Sequence, residues 1–109
     1  MHGLTSYQRD LLFIVSKNDG ATGKVIVEAM KEYYEGDVAT GTVYNHLDKL
    51  ADKRMVIKNK EGRTMEYSLS RTAIRELRAR QNWMTRCLEE NDAFDVDSDA
   101  MLTTDTLTV

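Results

Sequence analysis

Residues 40–69 read TGTVYNHLDKLADKRMVIKNKEGRTMEYSL, and the spacing of apolar side chains changes from helical to extended within this stretch. In its first half, apolar residues recur every three or four positions, as on one face of a helix: Val43, Leu47 and Leu50. In its second half, two short runs of β-forming residues flank Glu61-Gly62-Arg63, which is typical of a hairpin. The stretch therefore predicts a helix followed directly by two strands.

Two more helices are predicted before this stretch. Thr5 and Gln8 have the spacing of a capping box, so we expect a first helix over about residues 5–17. After a short turn at residues 21–23, a second helical repeat of apolar residues runs until Gly36. Thr40 is expected to cap the third helix. The predicted order is three helices and then a hairpin.

A fourth helix is predicted after the hairpin, with Ser70 as its cap. Its core-type residues follow heptad spacing: Ile74, Leu77, Gln81, Met84 and Leu88. Residues 91–109, rich in Asp, Ser and Thr, are expected to form a disordered acidic tail. We therefore predict a mainly α fold with a small β-hairpin, divided into a winged domain at 1–70, a long C-terminal helix at 71–90 and the tail.

Charge is distributed unevenly along the chain. The net charge is −3, yet residues 89–109 carry seven acidic residues and no Lys or Arg. Residues 1–88 therefore keep 11 of the 18 acidic residues and all 15 basic ones, a net charge of +4. A basic body with an acidic tail favours an anionic partner such as nucleic acid, although the excess is modest.

Composition argues against several other classes of protein. No apolar run approaches the roughly 20 residues that span a membrane, and the first residues do not resemble an export signal, so a cytoplasmic location is expected. A single cysteine, Cys87, and two histidines predict neither a disulfide nor a metal site, and no cofactor is expected. Because no nucleophile–base pair or phosphate loop is present, we do not expect an enzyme.

Three helices followed by a hairpin is the order of a winged helix-turn-helix. In this fold the third helix enters the major groove of DNA, and the hairpin is called the wing. Side chains near the start of that helix are predicted to read bases: Thr40, Thr42, Asn45 and His46. Basic side chains at its end and on the wing are predicted to contact the DNA backbone: Lys49, Lys53, Arg54, Lys58, Lys60 and Arg63. The alternative is an ordinary solvated helix face with His46 as a surface histidine. Tyr44 is expected to lie in the core.

The sequence resembles the PadR-like family of transcriptional regulators, in the short form with one helix after the wing. The matching segments are Leu4-Thr5 with Gln8, Leu11 and Leu12; residues 41–50; Met55-Val56-Ile57; and Arg63, Tyr67, Leu69 and Ser70. The resemblance implies a homodimer, usually a repressor, that binds a palindromic DNA operator. Arg54 stands where that family usually has glycine, so it must either adopt a left-handed conformation or close the helix differently.

The resemblance also implies a dimer interface built from the first and last helices. The residues predicted to form it are Tyr7, Leu11, Ile74, Leu77, Gln81, Met84 and Leu88. Alternatively, the last helix packs on the first helix of the same chain. A second function is also open, in which the winged helix is a protein-interaction module that uses its acidic tail. The sequence does not predict a small-molecule effector.

Overall fold

The computed structural model of the chain describes residues 3–99, with side chains described as far as residue 91. Four helices and three short strands follow one another along this part of the chain. They are α1 (Ser6–Lys17), β1 (Ala21–Thr22), α2 (Gly23–Tyr34), α3 (Thr40–Asp52), β2 (Val56–Glu61), β3 (Thr64–Leu69) and α4 (Arg71–Asp99). The predicted mainly α fold with a β-hairpin is confirmed.

Helix α1 begins and ends where its local sequence indicates. The Thr5 hydroxyl accepts a hydrogen bond from the Gln8 N–H (3.1 Å), while the Thr5 N–H donates to the Gln8 side-chain oxygen (3.2 Å). At the other end, the Asn18 side chain donates to the Ile14 carbonyl (2.8 Å). The predicted capping box is thus confirmed, and it satisfies N–H groups that the first helical turn leaves free.

The sheet has one more strand than the sequence predicts. Its order is β1-β3-β2, all antiparallel, with Ala21 opposite Tyr67 and Val56 opposite Leu69. Strand β1 is only two residues long, too short for apolar alternation to reveal it. The hairpin itself is as predicted, with Glu61 paired to Thr64 and a positive φ of 58° at Gly62, which glycine adopts without strain.

One hydrophobic core joins the first three helices, the hairpin and the start of α4. Its largest fully buried side chains are Leu11, Leu12, Val15, Ile26, Met30, Val43, Leu47 and Leu50. Val56, Tyr67 and Leu69 cover it from the sheet, and Ala73 and Leu77 from α4. Each fully buried aliphatic side chain contributes about 1.5–3 kcal/mol relative to exposure. This core fixes which face of α3 turns outward.

The chain divides into two units, Met1–Leu77, called here the winged unit, and Arg78–Val109, called here the C-terminal unit. The boundary therefore lies within α4 rather than at Ser70, since Ala73 and Leu77 belong to the core. Ser70 caps α4 as predicted, its hydroxyl accepting from the Ala73 N–H (3.1 Å).

The end of α4 differs from the sequence-based expectation. Residues 91–99, expected to be irregular, continue the helix. No glycine or proline follows Gly62, so no strong helix-breaking residue stops α4 at residue 90. The rest of the expected acidic tail, residues 100–109, lies outside the described residues. Among the described residues, no helix combines the length and apolarity needed to cross a bilayer.

Candidate nucleic-acid interface

Helix α3 begins one residue earlier than its predicted cap would require. Ala39 is the N-cap residue and makes no side-chain cap bond; its carbonyl accepts from the N–H groups of Thr42 (3.0 Å) and Val43 (3.2 Å). Thr40 is the first helical residue, so the prediction that it caps α3 is wrong. The side chains of Thr40 and Thr42 are exposed at the helix start.

The outward face of α3 carries both acidic and basic side chains. Asn45, Asp48, Lys49 and Asp52 are exposed, and their spacing of three or four residues aligns them on one side of the helix. Val43, Leu47 and Leu50 are fully buried on the other side. From the sequence, Lys49 and Lys53 at this end of the helix are assigned to DNA contacts, and Asp48 is assigned no role. The three-residue step from Asn45 to Asp48 is the signal that could have found it.

His46 is turned toward α1. Its Nδ1 lies 3.1 Å from the Gln8 side-chain nitrogen, and its ring centroid is 4.8 Å from that of Tyr7. Because the Gln8 oxygen already accepts from the Thr5 N–H, the Gln8 nitrogen must be the group that faces His46, and Nδ1 must accept from it. The expectation that His46 reads bases alongside Asn45 is corrected by this placement.

The surroundings of His46 favour its neutral form. Partial burial lowers the pKa of His46, and the positive charge of Lys49 lowers it further. A proton on Nδ1 would also place two donors against each other, because the Gln8 nitrogen donates there. His46 is therefore a packing residue that joins α3 to α1 through Gln8.

A cluster of aromatic rings adjoins this contact. The ring of Tyr7 stacks on Tyr34, with centroids 5.9 Å apart and an interplanar angle of 8°, and Tyr33 meets Tyr34 edge to face. The Tyr34 hydroxyl donates to Asp10 (2.8 Å). Desolvation, with a smaller contribution from that bond, raises the pKa of Tyr34 to about 12. Tyr7 was predicted at a dimer interface, and within its own chain it is half-buried in this cluster.

Tyr44 is not a core residue as expected, since 37% of its surface is exposed. Its ring lies against Gly23, at the start of α2, in the space that a Cβ on residue 23 would occupy. Gly23 thus allows the Tyr44 ring of α3 to pack directly against the start of α2. Sequence spacing alone did not reveal this packing.

Arg54 adopts the left-handed conformation, with φ of 62°. Its N–H donates to the Ala51 carbonyl and the Met55 N–H donates to the Leu50 carbonyl, both at 2.9 Å, which is the Schellman pattern of helix closure. The first of the two alternatives weighed for Arg54 is therefore the one adopted. The ammonium of the neighbouring Lys53 lies 3.4 Å from the Gly3 carbonyl. The side chains of Lys53 and Arg54 are both exposed.

The wing presents three exposed basic side chains with different surroundings. The Lys58 ammonium lies 2.9 Å from a carboxylate oxygen of Asp48 on α3. That hydrogen bond is the main cause that raises the pKa of Lys58. Lys60 and Arg63 make no ion pair with any side chain described between residues 3 and 91. Only Lys58 is neutralised by the helix beside the wing.

The residues predicted to form a dimer interface fall into two groups. Leu11 and Leu77 are buried in the core of their own chain, which corrects their assignment to a contact between subunits. Ile74, Gln81, Met84 and Leu88 are exposed, so their assignment to a contact between subunits stays a prediction. Trp83, beside them, is 54% exposed. The heptad pattern did not distinguish the two groups because both fit the same helical spacing.

The family model described as penicillinase repressor matches residues 4–102 of this chain. A curated relative, the transcriptional activator GvpE of Haloferax mediterranei, is 33% identical over 60 residues, which is 55% of this chain and 31% of GvpE. The chain thus spans about a third of the length of the curated relatives it matches.

Solved structures share the fold over nearly the whole chain. RosR of Halobacterium salinarum is 26% identical with a TM-score of 0.72, covering 93% of this chain and 98% of RosR. FabT of Streptococcus pneumoniae, solved in complex with DNA, is 13% identical with a TM-score of 0.66, covering 91% of this chain and 71% of FabT. The predicted winged-helix regulator is confirmed, whereas the PadR-like subfamily stays a prediction. The chain belongs to the penicillinase repressor family of winged-helix transcription regulators.

Proposed function

We propose that this regulator binds a palindromic DNA operator as a homodimer and represses transcription by blocking access to the promoter. The observation that carries the proposal is the exposed face of α3, where Thr42 and Asn45 lie uncovered beside the wing. Two basic side chains of the wing, Lys60 and Arg63, have no ion-pair partner among the described residues. A helix of this kind fits the major groove, and a neighbouring basic hairpin can reach phosphate or the minor groove.

The two segments have different roles in this proposal. Hydroxyl and amide groups of Thr40, Thr42 and Asn45 can donate to or accept from base edges, so the start of α3 supplies sequence preference. Basic groups supply affinity by neutralising phosphates. These are Lys49, Lys53, Arg54, Lys58, Lys60 and Arg63. The shared fold of FabT, which was solved with DNA, supports this mode of binding.

Dimerisation is proposed to use the exposed apolar side chains of α4. Trp83 and Leu88 expose 54% and 65% of their surface, and Met84 is also exposed. Large apolar side chains grouped on one helix commonly mark a contact surface. A symmetric pair of α3 helices would then meet two half-sites about one helical turn, roughly 34 Å, apart. Among the described residues one helix follows the wing, which supports the resemblance to short PadR-like regulators. A DNA-binding role is consistent with a cytoplasmic location.

Fluorescence anisotropy on DNA from upstream of the chain's own gene tests the proposal. We expect a saturable complex of two chains per operator, whose affinity falls steeply with salt concentration. Asn45→Ala should weaken binding to the operator by about 1–3 kcal/mol while leaving scrambled DNA nearly unchanged. The matched variant Lys60→Ala should weaken both DNAs alike.

The result that would contradict the proposal is equal, weak binding of all sequences by the wild-type chain. If Asn45→Ala left operator preference intact in a chain that does prefer its operator, base reading would have to come from other residues. A reporter gene behind the operator distinguishes repression from activation, because deletion of the regulator should raise expression in the first case and lower it in the second.

A further inference from the structure

Asp48 occupies the centre of the face that is proposed to meet DNA. It lies one turn after Asn45, and 60% of its side chain is exposed. Its carboxylate nevertheless has a partner, the ammonium of Lys58 on β2, at 2.9 Å. One ion pair therefore joins the base-reading helix to the wing.

Of the two lysines on strand β2, it is Lys58 that forms the ion pair with Asp48. Side chains of a strand alternate between its two faces, so Lys58 and Lys60 lie on the same face of β2. Lys58 is opposite Tyr67 in the hairpin and Lys60 is opposite Met65. Lys60 has no carboxylate partner among the described residues, whereas Lys58 has Asp48. Within the described part of the chain, the wing thus holds one lysine without an ion-pair partner and one lysine bound to the recognition helix.

When DNA binds, Lys58 either stays paired with Asp48 or moves to a phosphate. A carboxylate that faces phosphates without a partner is repelled, and leaving it unpaired in an interface is costly. If Lys58 moves to a phosphate, Asp48 therefore needs another donor. In the major groove, the N4 amino group of cytosine is the base donor that aspartate and glutamate side chains accept from.

We propose that Asp48 couples the wing to base identity by exchanging Lys58 for a cytosine amino group when the operator is bound. This inference rests on the proposed DNA-binding function. On an operator with cytosine at the matching position, Lys58 is released to a phosphate and Asp48 gains a new partner. On other DNA, the ion pair persists and the wing loses one phosphate contact. Asp48 is thus a specificity-determining residue rather than part of a solvated face.

A double-mutant cycle tests the coupling. Asp48→Ala, Lys58→Ala and the double variant are compared with wild type on the operator and on scrambled DNA, at several salt concentrations. Asp48→Ala should bind scrambled DNA severalfold more tightly, because Lys58 is then free, and its logarithmic salt slope should steepen by about 1 for each Lys58 that gains a phosphate. The preference for operator over scrambled DNA should fall by about tenfold or more.

The other variants separate coupling from a simple change in charge. The gain on scrambled DNA should disappear in the Asp48→Ala/Lys58→Ala variant. The matched control is Asp52→Ala, which removes an exposed carboxylate one turn further along α3 that makes no ion pair with the described side chains. Because Asp52 acts on Lys58 only through a coulombic interaction weaker than that of Asp48, the effect of Asp52→Ala should depend on Lys58 much less than the effect of Asp48→Ala does. Replacing single operator cytosines by thymine should then identify one position at which the wild type loses affinity and Asp48→Ala does not.

Three results would overturn the coupling alone: additive effects of Asp48→Ala and Lys58→Ala, an equal loss on both DNAs for Asp48→Ala, or no cytosine position whose effect depends on Asp48. Circular dichroism should show unchanged helix content in every variant, because all the altered side chains are exposed. A wild-type chain that shows no salt-sensitive binding to any DNA would instead overturn the proposed function, and the coupling with it.

Discussion

The winged unit and the C-terminal unit use their apolar side chains in opposite ways. In the winged unit, the apolar faces of the helices pack together into a closed core in which Leu47 and Leu50 are fully buried. In the C-terminal unit, none of the side chains described from residue 78 to residue 91 is buried, and Trp83 and Leu88 are mostly exposed. The same spacing of three and four residues thus produces a core in one unit and an open surface in the other. Spacing shows that a helix has an apolar side, but the rest of the assembly decides what covers it.

The largest expected effect comes from the closed core. Leu47→Ala should lower the free energy of unfolding by about 2–5 kcal/mol, because it removes a fully buried side chain and leaves a cavity. Urea denaturation at a protein concentration low enough to keep the chain monomeric measures this. Leu88→Ala is the matched control and should change the monomer's stability by less than about 0.5 kcal/mol. Equal losses of stability in the two variants would contradict the difference in burial between the two units.

The second effect concerns association. Trp83→Ala should weaken the proposed dimer by about 2 kcal/mol or more, close to 30-fold in dissociation constant, since a large aromatic side chain at an interface often dominates its energy. Sedimentation equilibrium provides the measurement. Tyr33→Ala is the control, because Tyr33 has the same exposed fraction, 54%, but lies on α2. An unchanged dimer in Trp83→Ala would mean that exposure on α4 does not mark the interface.

A smaller effect, an increase in stability, is expected at the end of α3. Arg54→Gly should stabilise the winged unit by about 1 kcal/mol, because glycine adopts a φ of 62° without the contact between Cβ and backbone that arginine suffers. Thermal unfolding should show a rise of a few degrees. Lys53→Gly, at a position with an ordinary φ of −83°, should lower stability instead. A stabilising Lys53→Gly would show that the gain does not come from the left-handed conformation.

The smallest effect is a pH dependence within the winged unit. Because the pKa of His46 is lowered in the folded chain, the unfolded chain binds more protons between that pKa and the ordinary value near 6.5. The contribution of His46 to stability is therefore complete above about pH 6.5 and is lost as pH falls through the lowered pKa. His46→Gln, which keeps an acceptor for Gln8 but does not titrate, should flatten the stability profile between pH 7 and pH 5. An identical profile in wild type and variant would show that His46 titrates normally.

Sequence reasoning succeeded at most positions where the information is local, although the cap of α3 is Ala39 rather than Thr40. Thr5 with Gln8 and Ser70 define helix starts through hydrogen bonds within three residues, and Gly62 defines the hairpin loop. It failed where a residue borders the buried stripe of a helix. His46 stands between the buried Val43 and Leu47, and helical periodicity allows either orientation for such a residue.

The candidate site was predicted in outline but not in its contacts. Thr40, Thr42 and Asn45 are exposed on α3 as expected, and the basic side chains lie at its end and on the wing. The pair between Asp48 and Lys58 joins residues of a helix and a strand, so it depends on how the hairpin packs beside α3. No spacing rule within a single element contains that information, which explains why Lys58 was expected to be as free as Lys60.

Gln8 has a consequence for how related chains vary. Its oxygen holds the first turn of α1 through the Thr5 N–H, and its nitrogen donates to His46, so one amide serves two helices. Glutamate could replace the first bond but not the second, since it would present an acceptor to an acceptor unless the histidine carried a proton. Across an alignment of the family, positions 8 and 46 should therefore change together: glutamine should accompany a neutral acceptor at position 46, and glutamate a donor there.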